Sequence, residues 1–138
     1  MSQTELATSS RQAPAHRVIV VGYSLKPEGR AALKRALSEA RLREAAVVVL
    51  DTSSDLDAPG LAEELAASGV SYEIRTADAQ NSAEELIRTA ETTDADFIVI
   101  GLRRRSPVGK LLLGSNAQRV LLDAACPVLA VKAQELES

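Results

Sequence analysis

The sequence has one cysteine, one histidine and no tryptophan. A single thiol, Cys126, cannot close an intrachain disulfide, and with His16 as the only imidazole there is no Cys/His zinc site, Cys-His dyad or Ser-His-Asp triad to assemble. Aromatic residues are only 2%, so a core must be built from Ala, Leu, Ile and Val, which suits helices packed on a sheet. No apolar run reaches the length of a membrane span, so no membrane partner is expected. Residues 1–16 lack the apolar stretch of a secretory signal, and their small polar composition predicts a disordered arm. Excess positive charge is also lacking: the net charge of -3 excludes a basic footprint for nucleic acid, although Arg103, Arg104 and Arg105 form a local basic run. The 138 residues, 46% hydrophobic and 25% charged, fit one cytoplasmic domain over residues 17–133, with a polar tail at 134–138.

Strand and helix signals alternate through that domain. Val18 to Val21, Ala46 to Leu50 and Phe97 to Ile100 are short apolar runs of the kind buried on both faces of a parallel sheet. Tyr72 and Ile74 alternate with Glu73 and Arg75, which predicts a strand at a sheet edge. Pro127 to Val131 supplies a last strand. Between them, Pro27 to Glu44 repeats Ala32, Leu33, Ala36, Leu37 and Ala40 at helical spacing, and Leu61 to Ala67 forms a shorter helix ending before Gly69. Ser82 with Glu85 has the spacing of a capping box, opening a helix that buries Leu86, Ile87 and Ala90 and ends about Thr92. A final helix is expected from Ser115 to Ala124, with Val120 and Leu121 inward. This alternation predicts an α/β fold: an open, doubly wound parallel sheet of about five strands with helices on both faces.

In such folds ligands bind beyond the carboxyl ends of the strands, near the point where strand order reverses. The segment from Gly101 to Gly114 leaves an apolar strand and enters a helix at Ser115, the placement that suits a phosphate. Ser115 and Asn116 add side-chain donors, and Gly101 and Gly114 permit close backbone approach or positive φ. It is not a Walker A loop: with Gly109-Lys110 as anchor, position 104 is Arg and position 111 is Leu. Nor does Gly22 to Gly29 carry the dinucleotide fingerprint G-x-G-x-x-G. Simpler readings stand beside these. The arginines suit a solvated loop, Gly101, Gly109 and Gly114 suit turns, Ser115 suits a helix cap, Asp51 suits a turn, and Cys126 suits a buried small apolar residue.

The order of elements, the Gly101 to Gly114-Ser115 span and the terminal CPVLAV resemble the universal stress protein family from Arg17 to Lys132. The resemblance implies a Rossmann-like fold of the adenine nucleotide alpha hydrolase type. It also implies an ATP site, with Mg2+ as companion ion, on a loop of the form G-x2-G-x9-G-[ST]. Gly101, Gly114 and Ser115 match that loop, with Arg103, Arg104 and Asn116 as further nucleotide-binding candidates. Two positions depart from the pattern. Arg104 stands at the middle glycine, and the usual first-strand Asp is replaced at Gly22 or Tyr23; both residues, with Asp51, are candidates for the cleft. The implied function is a stress-response domain that binds an adenine nucleotide or another phosphate-bearing ligand as a non-catalytic sensor for an unknown protein partner. The alternative is a dimeric interaction module without nucleotide, and the resemblance implies homodimerisation through the last strand. Lack of a histidine in the folded part and of the cleft carboxylate argues against catalysis, a weak ATPase being what some relatives suggest.

Overall fold

The computed structural model describes residues 17–53, 60–103 and 113–133. The expected arm 1–16, the tail 134–138, and Arg104, Arg105, Gly109 and Lys110 lie outside the described residues.

Five strands are described: β1 (Val18–Tyr23), β2 (Ala46–Asp51), β3 (Tyr72–Thr76), β4 (Phe97–Leu102) and β5 (Val128–Lys132). Four α-helices lie between them: α1 (Pro27–Arg43), α2 (Leu61–Ser68), α3 (Ser82–Thr93) and α4 (Ser115–Asp123). The strands form one parallel sheet in the order β3-β2-β1-β4-β5. The chain moves outward from β1 to β3 and then returns to the other side of β1 at β4. The reversal therefore falls between β1 and β4, at the carboxyl ends of the strands, where doubly wound sheets leave a crevice.

Strand alternation divides the core into two layers. Ile19, Val21, Val47, Val49 and Val99 face the layer that holds α1 and α2. Val20, Val48, Leu50, Ile98 and Ile100 face the layer with α3 and α4. The three central strands are thus apolar on both sides, as their continuous runs predict. On α1 the expected stripe of Ala32, Leu33, Ala36, Leu37 and Ala40 is buried, and α2 buries Leu61 and Leu65. As the alternation predicts, β3 is an edge strand, with Tyr72 and Ile74 exposed.

Three local expectations are corrected. Ser82 does not cap α3 by a side-chain hydrogen bond: it is the first helical residue, and Asn81 precedes it as a cap with no side-chain bond. The turn into α3 is closed by Asp78, whose side chain accepts the Gln80 N–H at 3.2 Å and whose carbonyl accepts the Asn81 N–H at 2.9 Å. The carboxylate's bond lies within the 79–81 turn, and α3 begins beyond it. Leu121 is 38% exposed: one residue beyond Val120, it is turned about 100° around the helix from the side chain that α4 buries in the core. Ile87 is only half-buried, beside the buried Leu86 and Ala90.

Candidate functional site

The end of β1 is tied to the end of β2 by Thr52, whose N–H and hydroxyl both donate to the Tyr23 carbonyl, at 2.9 and 3.0 Å. From there the chain turns sharply into α1: the Lys26 N–H donates to the Ser24 hydroxyl at 3.3 Å, and Pro27 opens the helix with its φ preset. Gly29 packs directly on Ser24, where a β-carbon would overlap the serine backbone. A second close approach lies across the crevice, where Gly101 at the end of β4 abuts the Glu28 carbonyl in the first turn of α1. These two contacts bring the amino end of α1 over the carboxyl ends of β1 and β4.

The resulting cleft has a volume of about 520 Å³. Its floor and walls include Gly22, Tyr23, Ser24, Lys26, Glu28, Thr52, Ser53, Ser82, Leu86, Ile100, Gly101, Asn116, Ala117 and Val120. A neighbouring hollow of about 390 Å³ is lined by Glu28, Gly101, Leu102, Arg103, Leu113, Gly114 and Ala117. Glu28, Gly101 and Ala117 line both, so the two form adjoining parts of one groove over the switch point.

Three helices present their amino ends to this groove: α1, α4 and, through its first residue Ser82 and with Glu84 and Glu85 in its first turn, α3. Neither Lys26, preceding α1, nor Gly114, preceding α4, makes a side-chain capping bond. The orphan N–H groups and the positive dipole end of such a helix favour an anion by roughly 0.3–1 kcal/mol when exposed. The ends differ in charge. The first turn of α1 carries Glu28, whereas the first turn of α4 holds no acidic residue. Glu28 and Arg103 face each other across the groove at 3.8 Å.

Of the residues expected from sequence, Gly22, Tyr23, Gly101 and Asn116 line the larger part of the groove, and Gly101, Arg103 and Gly114 line the smaller. Tyr23 is largely committed to the α1/α2 core, and burial raises its hydroxyl pKa above the ordinary value. Ser115 is the first residue of α4, not its cap, and lines neither hollow; Gly114 precedes it with φ of -70°, so no positive φ is used there. Asp51, a candidate for either the cleft or a turn, lines neither hollow. Its buried carboxylate accepts the Ser53 N–H at 2.9 Å and the Ser53 hydroxyl at 2.8 Å, the turn-forming alternative, and leaves Thr52 and Ser53 to line the cleft. Cys126 is half-buried against the α3/α4 core, and desolvation raises its thiol pKa.

Sequence reasoning did not pick out Ser24, Lys26, Glu28, Thr52 or Ser82 as cleft residues. The available signal was position: a doubly wound sheet directs attention to the residue after the first strand as much as to the loop after β4. Among the described residues, no group of His, Cys, Asp and Glu is placed to hold a metal ion. Nor is any of their helices long and apolar enough to cross a membrane.

The profile of the universal stress protein family matches residues 60–132. A universal stress protein of Mycolicibacterium smegmatis is 43% identical over 126 residues, covering 83% of this chain and 97% of the relative. A crystal structure of a universal stress protein in complex with cAMP matches with a TM-score of 0.62 and 23% identity over 86% of this chain and 98% of the other. The structure of a universal stress protein from Archaeoglobus fulgidus in complex with dAMP matches with a TM-score of 0.59 and 23% identity, covering 84% and 97%.

Proposed function

This chain belongs to the universal stress protein family, and we propose on that premise that its groove is a non-catalytic receptor for an adenine nucleotide, either ATP or a monophosphate, whose occupancy is passed to a protein partner. The observation that carries this reading is the amino end of α4. It opens at the switch point of the sheet with no acid in its first turn and, among the described residues, with no side-chain cap and nothing beside Gly114 where a β-carbon would stand. A phosphate placed there meets helix N–H groups, with Arg103 lining the same hollow. The neighbouring cleft of about 520 Å³ is of a size for a nucleoside and combines apolar walls, Leu86, Ile100 and Val120, with hydroxyls from Ser24, Thr52 and Ser53. The solved relatives holding cAMP and dAMP support an adenine base. Any Mg2+ would arrive on the nucleotide's own phosphates, given the described residues' lack of a metal cluster. The reading includes a cytoplasmic setting, in keeping with a lone, half-buried thiol.

Calorimetric titration of ATP, dAMP and adenosine into protein stripped of small molecules tests this. Saturable nucleotide binding, weakened in Gly114→Val, is the expected result. Absence of binding by every ligand at millimolar concentration would overturn it.

The outer edge of β5, unpaired among the described residues, favours a second reading, a homodimeric interaction module of the same fold. Among the described residues β5 pairs only with β4, and Leu129 and Val131 are only partly buried on the α1/α2 core. Pairing with a second copy through this strand would satisfy the open backbone groups and cover the apolar side chains.

A further inference from the structure

We propose that Glu28 sets the charge preference of the groove, so that a nucleotide with one phosphate is favoured over a triphosphate. The inference rests on the nucleotide reading and adds which nucleotide class the site selects. Glu28 lines both parts of the groove, and its side chain is only 17% exposed, against 45% for Arg103. It is also held in place. The Glu28 carbonyl is packed against Gly101, so the backbone that carries the carboxylate cannot retreat without separating α1 from β4.

Two consequences follow from that position. The carboxylate already provides the negative charge that the amino end of α1 favours, and Glu84 and Glu85 do the same in the first turn of α3, so of the three helix ends at the groove only that of α4 is left without an acid for a ligand anion. It also faces Arg103 at 3.8 Å, and an arginine shared with a fixed carboxylate has less charge to offer a phosphate. One phosphate fits the amino end of α4. Each further phosphate extends along the groove that Glu28 lines on both sides of the Gly101 contact, and meets a like charge in a partly desolvated place. The carboxylate disfavours a ligand in proportion to its charge, whereas neutral adenosine is untouched.

The experiment is calorimetric titration of adenosine, dAMP and ATP, without divalent cation and at low and high salt, into wild type, Glu28→Gln and Glu28→Asp. Glu28→Gln keeps the shape of the side chain and removes its charge. ATP affinity is expected to rise about tenfold, equivalent to about 1.4 kcal/mol. The rise for dAMP is smaller, adenosine is unchanged, and the ATP gain shrinks in high salt. Glu28→Asp restores the wild-type order of affinities. Equal changes for all three ligands, or an unchanged ATP to dAMP ratio in Glu28→Gln, would overturn the inference while leaving the nucleotide site standing. Failure of every ligand to bind every variant would instead overturn the nucleotide reading, and this inference with it. Unchanged adenosine affinity also reports that Glu28→Gln is folded, since the nucleoside shares the same cleft.

Discussion

The carbonyl oxygen of Glu28 in α1 rests against the α-carbon of Gly101 at the end of β4, occupying the place where any other residue would carry its β-carbon. The glycine thus serves the packing of α1 onto the sheet, whatever else it does for a ligand. Backbone cannot swing aside as a flexible side chain does, so Gly101→Ala must push α1 away from β4. Overpacking of this kind costs about 1–3 kcal/mol and occasionally more. Urea denaturation of Gly101→Ala is expected to show a loss at the upper end of that range; a loss below about 0.5 kcal/mol would mean that α1 adjusts freely.

Gly114 is the contrasting case. Its φ of -70° and ψ of 167° suit any residue, and an added β-carbon would meet nothing within 4 Å among the described residues. Gly114→Ala should therefore leave stability within about 0.5 kcal/mol of wild type. Its effect is expected on the ligand, because the added methyl enters the space beside the amino end of α4. A fall in dAMP affinity with an unchanged melting temperature is the expected pair of results. Unchanged affinity would remove Gly114 from the binding surface.

The fold was legible because its central strands have no wet face. The runs Val18 to Val21, Ala46 to Leu50 and Phe97 to Ile100 could only be buried on both sides, while the alternation at Tyr72 to Arg75 marked an edge. The stripe on α1 was equally legible from its spacing. Local signals failed at the level of single residues: Asp78 closes the turn before α3, which begins one residue out of step with the capping box read at Ser82, and Leu121 is turned away from the face on which α4 buries Val120. Much of the site was hidden for a different reason. Glu28 and Gly101 are far apart in sequence, and their contact depends on β4 lying next to β1, a pairing that no local pattern encodes. For the same reason a glycine that suggested a close ligand proved to be filled by the protein's own backbone.

On the outer face of α1, Glu39 accepts hydrogen bonds from Arg35 at 3.0 Å and Arg43 at 3.1 Å. Those bonds, Arg35 first, hold its carboxyl below the ordinary glutamate value. A group whose pKa is lowered by folding contributes stability above its unfolded value, near 4.5, and loses it as pH falls through the folded value. Both arginines are about half exposed, so the contribution is screened and should stay below about 1 kcal/mol. Glu39→Gln is expected to be less stable than wild type at pH 7, with the gap closing toward pH 3. A gap that holds constant through the acid range would show that the carboxylate charge is not its source.

The edge of β5 permits a substitution that separates association from folding. The Pro127 carbonyl accepts the Ile98 N–H at 3.0 Å, and the Ala133 N–H donates to the Leu102 carbonyl at 3.2 Å. Backbone groups alternate sides along a strand, so residues 127, 129, 131 and 133 bond to β4, while Val128, Ala130 and Lys132 turn theirs to the outer edge, which no described strand covers. Proline is tolerated on an edge strand where its missing N–H would have faced outward. Ala130→Pro should therefore keep the fold and the melting temperature of the monomer but abolish pairing through this edge. Light scattering at micromolar concentration is expected to show a dimer for wild type and a monomer for Ala130→Pro. A monomeric wild type would overturn the interaction-module reading, and a variant that stays dimeric would move the interface to another face.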